Sequence, residues 1–153
     1  MKYHIEKNTI QETLVIPLYA RALCTRRFPH LFSDPLSVEL LEQLDYDFSA
    51  LERTSGSLMQ TFGAMEAAMR QSDLAWEVRD YLADHPQAAV VNLGCGLDQT
   101  GRSFDNGQCR LFSIDLPDVM AVREALLHAG KREKNLAADL NDQIGRASCR
   151  ERV

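Results

Sequence analysis

No stretch of this 153-residue chain approaches the ~18 consecutive apolar residues of a membrane-spanning helix. Its start, Met1-Lys2-Tyr3-His4-Ile5-Glu6-Lys7, has none of the apolar core that marks a signal peptide. Cysteine is sparse: Cys24, Cys95, Cys109 and Cys149 form no Cys-x-x-Cys pair and no His/Cys cluster. That argues against a disulfide frame and against a zinc site, so no metal is expected, and a reducing cytoplasm fits. Basic charge is also in short supply, with 17 Lys and Arg against 22 Asp and Glu and a formal charge of −5. A general nucleic-acid-binding surface is therefore not expected, nor a membrane partner. Internal repeats and low-complexity segments are absent as well. What is present is an ordinary globular composition, 45% hydrophobic, at a length suited to one domain.

The last residues stand apart. Ile144-Gly145-Arg146-Ala147-Ser148-Cys149-Arg150-Glu151-Arg152-Val153 is what ATC GGA AGA GCG TCG TGT AGG GAA AGA GTG encodes, a string resembling a common sequencing-adapter oligonucleotide. Residues 143–153 are accordingly read as a non-native read-through tail, with natural sequence ending near Asp142, and are set aside from fold reasoning. Three of the tail's residues are arginine and one is glutamate, so the remainder is more acidic still. On this reading the chain is the N-terminal part of a longer protein.

Residues 1–86 read as helical. Leu14, Ile16, Leu18, Tyr19, Ala22 and Leu23 give a helical stripe over Thr9 to Arg27, with Pro17 expected to kink or start a helix. Arg21, Arg26 and Arg27 fall on its polar side, the last two as a solvated face. Ser33 or Asp34 ahead of Pro35 is a helix start, with Val38, Leu40, Leu41 and Leu44 as its apolar face. Asp45 to Ser57 is acidic and reads as a loop. Leu58 to Gln71 reads as a helix whose methionines (Met59, Met65, Met69) fill core gaps. A further helix, Leu74 to Ala83, is expected after a cap at Ser72 or Asp73, packing through Trp76, Val78, Tyr81 and Leu82. His85 before Pro86 is a surface turn residue.

From residue 87 to 142 the pattern changes to strand–helix alternation, which points to an α/β fold. Ala88-Ala89-Val90-Val91-Asn92-Leu93-Gly94-Cys95-Gly96-Leu97-Asp98 is an apolar run ending in Gly-x-Gly, as expected of a parallel strand covered on both faces. The glycines allow a sharp turn and close approach of a ligand. Gln99 to Asn106 is a short helix or a loop. A second strand, Cys109 to Asp115, ends in an acid 21 positions after Gly94, near the ~20-residue offset at which a nucleotide-binding β-α-β unit places a carboxylate on ribose hydroxyls. Pro117-Asp118 opens a helix running to about Ala129, with Met120, Val122, Leu126 and Leu127 buried and Gly130 at its end. Leu136 to Leu140 is expected to hold a third strand and its exit loop.

A Gly-x-Gly leaves the cofactor open. A nicotinamide or flavin fingerprint needs a third glycine where Gln99 stands, although Gly101 lies near. An acid two positions past the second glycine, Asp98, is instead the pattern of S-adenosylmethionine (AdoMet) methyltransferases. Val91-Asn92-Leu93-Gly94-Cys95-Gly96-Leu97-Asp98, followed by Ile114-Asp115-Leu116-Pro117-Asp118-Val119, resembles the leucine carboxyl methyltransferase family, which includes polyketide-pathway O-methyltransferases of the tetracenomycin type. Tyr19-Ala20-Arg21-Ala22 and Arg70-Gln71-Ser72-Asp73 are similar to that family's N-terminal helical region.

The resemblance implies a Rossmann-like class I methyltransferase fold, here cut off after about three strands, with residues 1–86 as a helical cap and 87–142 as the first part of the AdoMet-binding domain. By that resemblance Gly94 and Gly96 let the backbone pass close to AdoMet. Asp115 accepts from both ribose hydroxyls, Leu116 packs near the adenine, and Asp139 with Leu140 reads the adenine amino group. Arg70 pairs with the methionine carboxylate, for which its planar fork is suited. One departure stands out: many members have Thr-Arg after the Leu-Asp, where this chain has Gln99-Thr100, and Arg102 is out of register. The implied activity is methyl transfer to a small-molecule or carboxylate acceptor, at oxygen. Residues deciding between carboxyl and hydroxyl acceptors would follow the third strand, so no catalytic residue is assigned. The fragment itself is expected to be inactive and poorly soluble, because its glycine strand would keep an unpaired apolar edge. Two other readings stand beside this one: a nicotinamide-dependent oxidoreductase fragment, and a non-catalytic interaction protein.

Overall fold

A computed structural model of the chain describes residues 2–141; the 143–153 stretch read as a tail lies outside the described residues. The chain divides into two compact units, one reaching to Asp80 and the other starting at Tyr81.

The first unit is mostly helical. A two-residue strand β1 (Tyr3–His4) pairs in parallel with β2 (Leu44–Asp45), an element that periodicity cannot reveal because two residues carry no period. A 3-10 turn (Ile10–Leu14) runs directly into α1 (Val15–Arg27). Pro17 therefore sits in the first turn of α1, where a missing N–H removes no intrahelical bond. The buried stripe is Leu14, Val15, Leu18, Arg21 and Ala22; Ile16, expected inside, is exposed. Arg21 is buried with its Nε 3.2 Å from Asp34 Oδ2, and Arg27, expected on a solvated face, donates to the Ser55 carbonyl and Thr61 Oγ1.

Helix α2 (Pro35–Gln43) starts as its sequence dictates, with the Asp34 side chain accepting from the Ser37 amide at 3.1 Å and Pro35 in the first turn. Leu40, Leu41 and Leu44 are buried with Val15 and Leu18 in this unit's core, each full burial contributing roughly 1.5–3 kcal/mol. The acidic stretch expected to be a loop contains a short helix, α3 (Ser49–Thr54), whose start is tied by Asp47 Oδ1 accepting from the Ser49 amide.

The two helices expected on either side of Ser72 are one, α4 (Leu58–Asp84, 27 residues). Ser57 Oγ accepts from the Gln60 amide at its start. Ser72 does not cap a second helix: its hydroxyl donates back to the Ala68 carbonyl, the in-helix alternative open to serine. With neither Gly nor Pro between Gln71 and Ala83, nothing interrupts the backbone ladder. Among the methionines only Met65 packs into the small core of Cys24, Phe32 and Ala68. Met59 and Met69 are exposed, as are Trp76 (61%) and Tyr81 (59%); of the expected packing residues Leu82 is buried and Val78 half-buried, and Ala75, not expected there, is buried as well.

The second unit holds the strand–helix alternation. β3 (Ala89–Leu93), α5 (Thr100–Ser103), β4 (Arg110–Asp115), α6 (Pro117–Leu126) and β5 (Glu133–Ala137) follow one another. The strands form a parallel sheet in the order β3-β4-β5, with Leu93 opposite Ile114 and Ile114 opposite Leu136. This is a partial Rossmann-like α/β arrangement. Cys109, Leu111, Ile114, Val119, Met120, Val122 and Leu127 are its buried apolar residues around β4 and α6.

Three expectations change here. β3 is not covered on both faces: Val91 is 51% and Leu93 57% exposed, because among the described residues β3 pairs with β4 alone and α6 packs over β4 and β5. Helix α6 ends at Leu126 rather than near Ala129, since Leu127 turns to extended backbone and buries its side chain. The third strand lies at Glu133–Ala137 rather than Leu136 to Leu140, because the polar Glu133 and Asn135 find a partner on α6.

Candidate functional site

The C-terminal ends of β3 and β4 meet at the glycine turn. The amides of Gly94 and Cys95 both donate to the Ile114 carbonyl, at 2.9 and 3.2 Å, so the chain leaves β3 bent toward the end of β4. That bend needs left-handed backbone: Gly94 has φ 64° and Gly96 φ 46°, a region costing an L-residue roughly 1–2 kcal/mol. A Cβ added at Gly94 would meet nothing within 4 Å. The glycine thus serves the turn itself, and the space beside it is open.

Asp115, the last residue of β4, closes the turn from the other side. Its Oδ2 accepts from the Gly96 amide and its Oδ1 from the Leu116 amide, both at 2.8 Å. Each carboxylate oxygen keeps a further lone pair, so a group held this firmly can still accept two outside hydroxyls. The Ala138 amide donates to the Asp115 carbonyl at 2.9 Å, which brings the residues after β5 beside the same strand end. The structure therefore brings Gly94, Gly96, Asp115 and Leu116 together, with Asp139 and Leu140 following from β5. Asp139 Oδ1 is engaged by the backbone and side-chain nitrogens of Asn141, at 2.8 and 3.0 Å, in an exposed turn.

Arg70 belongs to the first unit. It lines an apolar groove of about 460 Å³ between α1 and α4, with Tyr19, Leu23, Gln60 and Ala67 among its walls.

Asp98 has a structural task. Its Oδ1 accepts from the Thr100 amide (3.0 Å) and hydroxyl (2.5 Å), while its Oδ2 accepts from Asn92 Nδ2 at 2.9 Å. It starts α5, where the N-cap residue Gln99 makes no side-chain cap, and ties that start to β3. Helix α5 spans only four residues, so its dipole offers little to a pyrophosphate. A Cβ on Gly101 would meet Leu111 Cδ1 at 3.6 Å, ordinary contact, so Gly101 does not do the close-packing work of a third glycine. Arg102 is engaged with the His128 carbonyl. Cys95, inside the turn, is buried with its Sγ 3.8 Å from Met120 Sδ. Burial pushes its thiol up to about 11, which makes it a packing residue rather than a nucleophile.

Sequence reasoning missed the residue that holds all this in place. Arg123, on the buried face of α6, is 2% exposed and pairs with Glu133 Oε1 at 2.8 Å. Its Nη1 donates to the carbonyls of Gly96 (2.8 Å) and Asp98 (2.7 Å), on either side of Leu97 in the turn. Burial works to raise the Glu133 carboxyl, but hydrogen bonds from Arg123, the Gly130 amide and Ser113 outweigh it and hold its pKa below the usual value. A signal for Arg123 existed: a charge within the apolar stripe Val119, Met120, Val122, Leu126 must be buried and so must have partners.

Comparison with known proteins places the chain in a family. The family model described as leucine carboxyl methyltransferase matches residues 15–148, a span that includes the glycine turn and Asp115 and runs into the stretch set aside as a tail. The tetracenomycin polyketide synthesis O-methyltransferase TcmP of Streptomyces glaucescens is 36% identical over 119 residues, covering 76% of this chain and 42% of that relative. The chain thus spans less than half the length of the curated relative it matches.

Proposed function

From membership of the leucine carboxyl methyltransferase family, to which this chain belongs, we propose that it forms the cofactor-receiving part of an AdoMet-dependent O-methyltransferase. The observation carrying the proposal is Asp115, fixed by the amides of Gly96 and Leu116 at the mouth of a left-handed glycine turn. AdoMet, when bound, supplies the activated methyl group. The chain's own residues bind and orient: Asp115 accepts the two ribose hydroxyls, and Gly94 and Gly96 leave room for the ligand. Leu116 packs near the adenine, and Asp139 with Leu140 reads its amino group. The name of the Streptomyces relative points to a polyketide-type acceptor reacting at oxygen, through either a carboxyl or a hydroxyl group. A carboxylate acceptor is already nucleophilic, whereas a hydroxyl needs a general base, and no such base is assigned within this chain. A nicotinamide cofactor is disfavoured by the four-residue α5 and by Gln99 at the third-glycine position.

Calorimetric titration of S-adenosylhomocysteine into the chain, with NAD as competitor, tests the proposal. Saturable binding that NAD does not displace is expected. Removing two hydrogen bonds to a carboxylate in Asp115→Ala should weaken it by about 100-fold or more. Absence of binding by the folded chain, or displacement by NAD, would refute the reading.

A further inference from the structure

The guanidinium of Arg123 has five N–H groups and five acceptors around it. Nη1 serves the Gly96 and Asp98 carbonyls, Nη2 serves Glu133 Oε1 (2.8 Å) and Ser113 Oγ (3.4 Å), and Nε serves Asn135 Oδ1 (3.3 Å). The five acceptors come from three places: the glycine turn, β4 and β5. Side chains of β4 and β5 thus grip a cation that grips the turn, and β4 is the strand that ends in Asp115. Two glycines in left-handed backbone, Gly94 and Gly96, give a turn whose own residues constrain it little. One of the two carbonyls held by Arg123 belongs to Gly96, the residue whose own amide reaches Asp115 Oδ2.

We propose that Arg123 is a positioning residue for the cofactor turn. It fixes the Gly96–Asp98 carbonyls so that the Gly96 amide and the Asp115 carboxylate are already in their ligand-receiving arrangement before ligand arrives, and Glu133 supplies the counter-charge that lets the guanidinium be buried. Arg123 itself touches no ligand. The advantage is preorganisation: ordering the turn is a cost met in folding rather than in binding. Only arginine fits, because lysine has three donors on a point charge and cannot serve acceptors in three directions of one plane. The ligand half of this inference rests on the AdoMet reading above; the turn half does not.

The test separates the two. Amide hydrogen exchange and S-adenosylhomocysteine titration are run on the whole chain as wild type, as Arg123→Lys, and as Arg123→Met/Glu133→Gln. The double variant removes both charges, so that no uncompensated carboxylate is left buried if the single change fails to fold. In the folded variants the amides of Gly96 and Asp98 should exchange about tenfold faster or more, while those of Phe112 and Ser113 in β4 stay within about threefold. S-adenosylhomocysteine affinity should fall by about tenfold or more, with Asp115 intact. A purely structural role would raise exchange across β4 and the turn together and leave the affinity of the folded molecules unchanged, and that result overturns the proposal. Unchanged exchange at Gly96 and Asp98 overturns it as well. Selective loosening of the turn in a chain whose wild type binds no S-adenosylhomocysteine would uphold the positioning of the turn and sink the cofactor reading alone.

Discussion

Asp98 offers the sharpest check on how the glycine turn is built, because the sequence marks it as a family signature while the structure makes it a brace. Replacing it by alanine removes the acceptor of the Thr100 amide and hydroxyl, and also the acceptor of Asn92 Nδ2. Loss of a helix-start acceptor costs about 1 kcal/mol, and a partly buried amide donor left without its partner costs about another 1–2 kcal/mol. Asp98→Ala should therefore destabilise the second unit by about 2–3 kcal/mol. Asparagine behaves differently. Its oxygen can still accept from Thr100, and the Asn92 amide can rotate to present its own oxygen to the new nitrogen. Asp98→Asn should cost less than about 1 kcal/mol. Amide exchange in β4, read as the opening free energy of the sheet, measures both. A 2 kcal/mol loss appears as roughly 30-fold faster exchange in the alanine variant. Refutation would be an alanine variant within about 0.5 kcal/mol of the parent, or an asparagine variant as damaged as the alanine one. The second result would make charge, not hydrogen-bond geometry, the reason for the acid.

Two further outcomes follow from the same contacts. Asp73→Pro would be tolerated at the first position of a new helix, but inside the continuous α4 it should cost about 3 kcal/mol or more and lower the helical circular dichroism signal; an unchanged spectrum and melting temperature would contradict the unbroken helix. Because the folded Glu133 carboxyl titrates below its usual value of 4.5, the stability it lends is present above that pH and lost as pH falls through the folded pKa. Glu133→Gln should therefore flatten the acid limb of the second unit's stability curve below about pH 4.5, and an unaltered acid limb in urea titrations would count against the pairing with Arg123.

Local chemistry in the sequence was enough to determine the start of α2 at Asp34-Pro35, the strand before Gly94 and the strand ending in Asp115. Each rests on neighbours within a few residues: a cap and its amide, an apolar run, a glycine that accepts φ above zero. The same locality made the α/β class and the pairing of the glycine turn with Asp115 legible, since a parallel β-α-β unit sets that offset along the chain. Tertiary structure decided the rest. Whether Ser72 caps a helix or bonds back to Ala68 depends on which conformation its surroundings favour, and the serine suits both. Exposure of Trp76 and of Val91 depends on what lies over them, which no periodicity contains. The Arg123 site depends on β5 lying beside β4, because only that register sets Glu133 and Asn135 against α6 and lets one buried guanidinium tie the turn to the sheet.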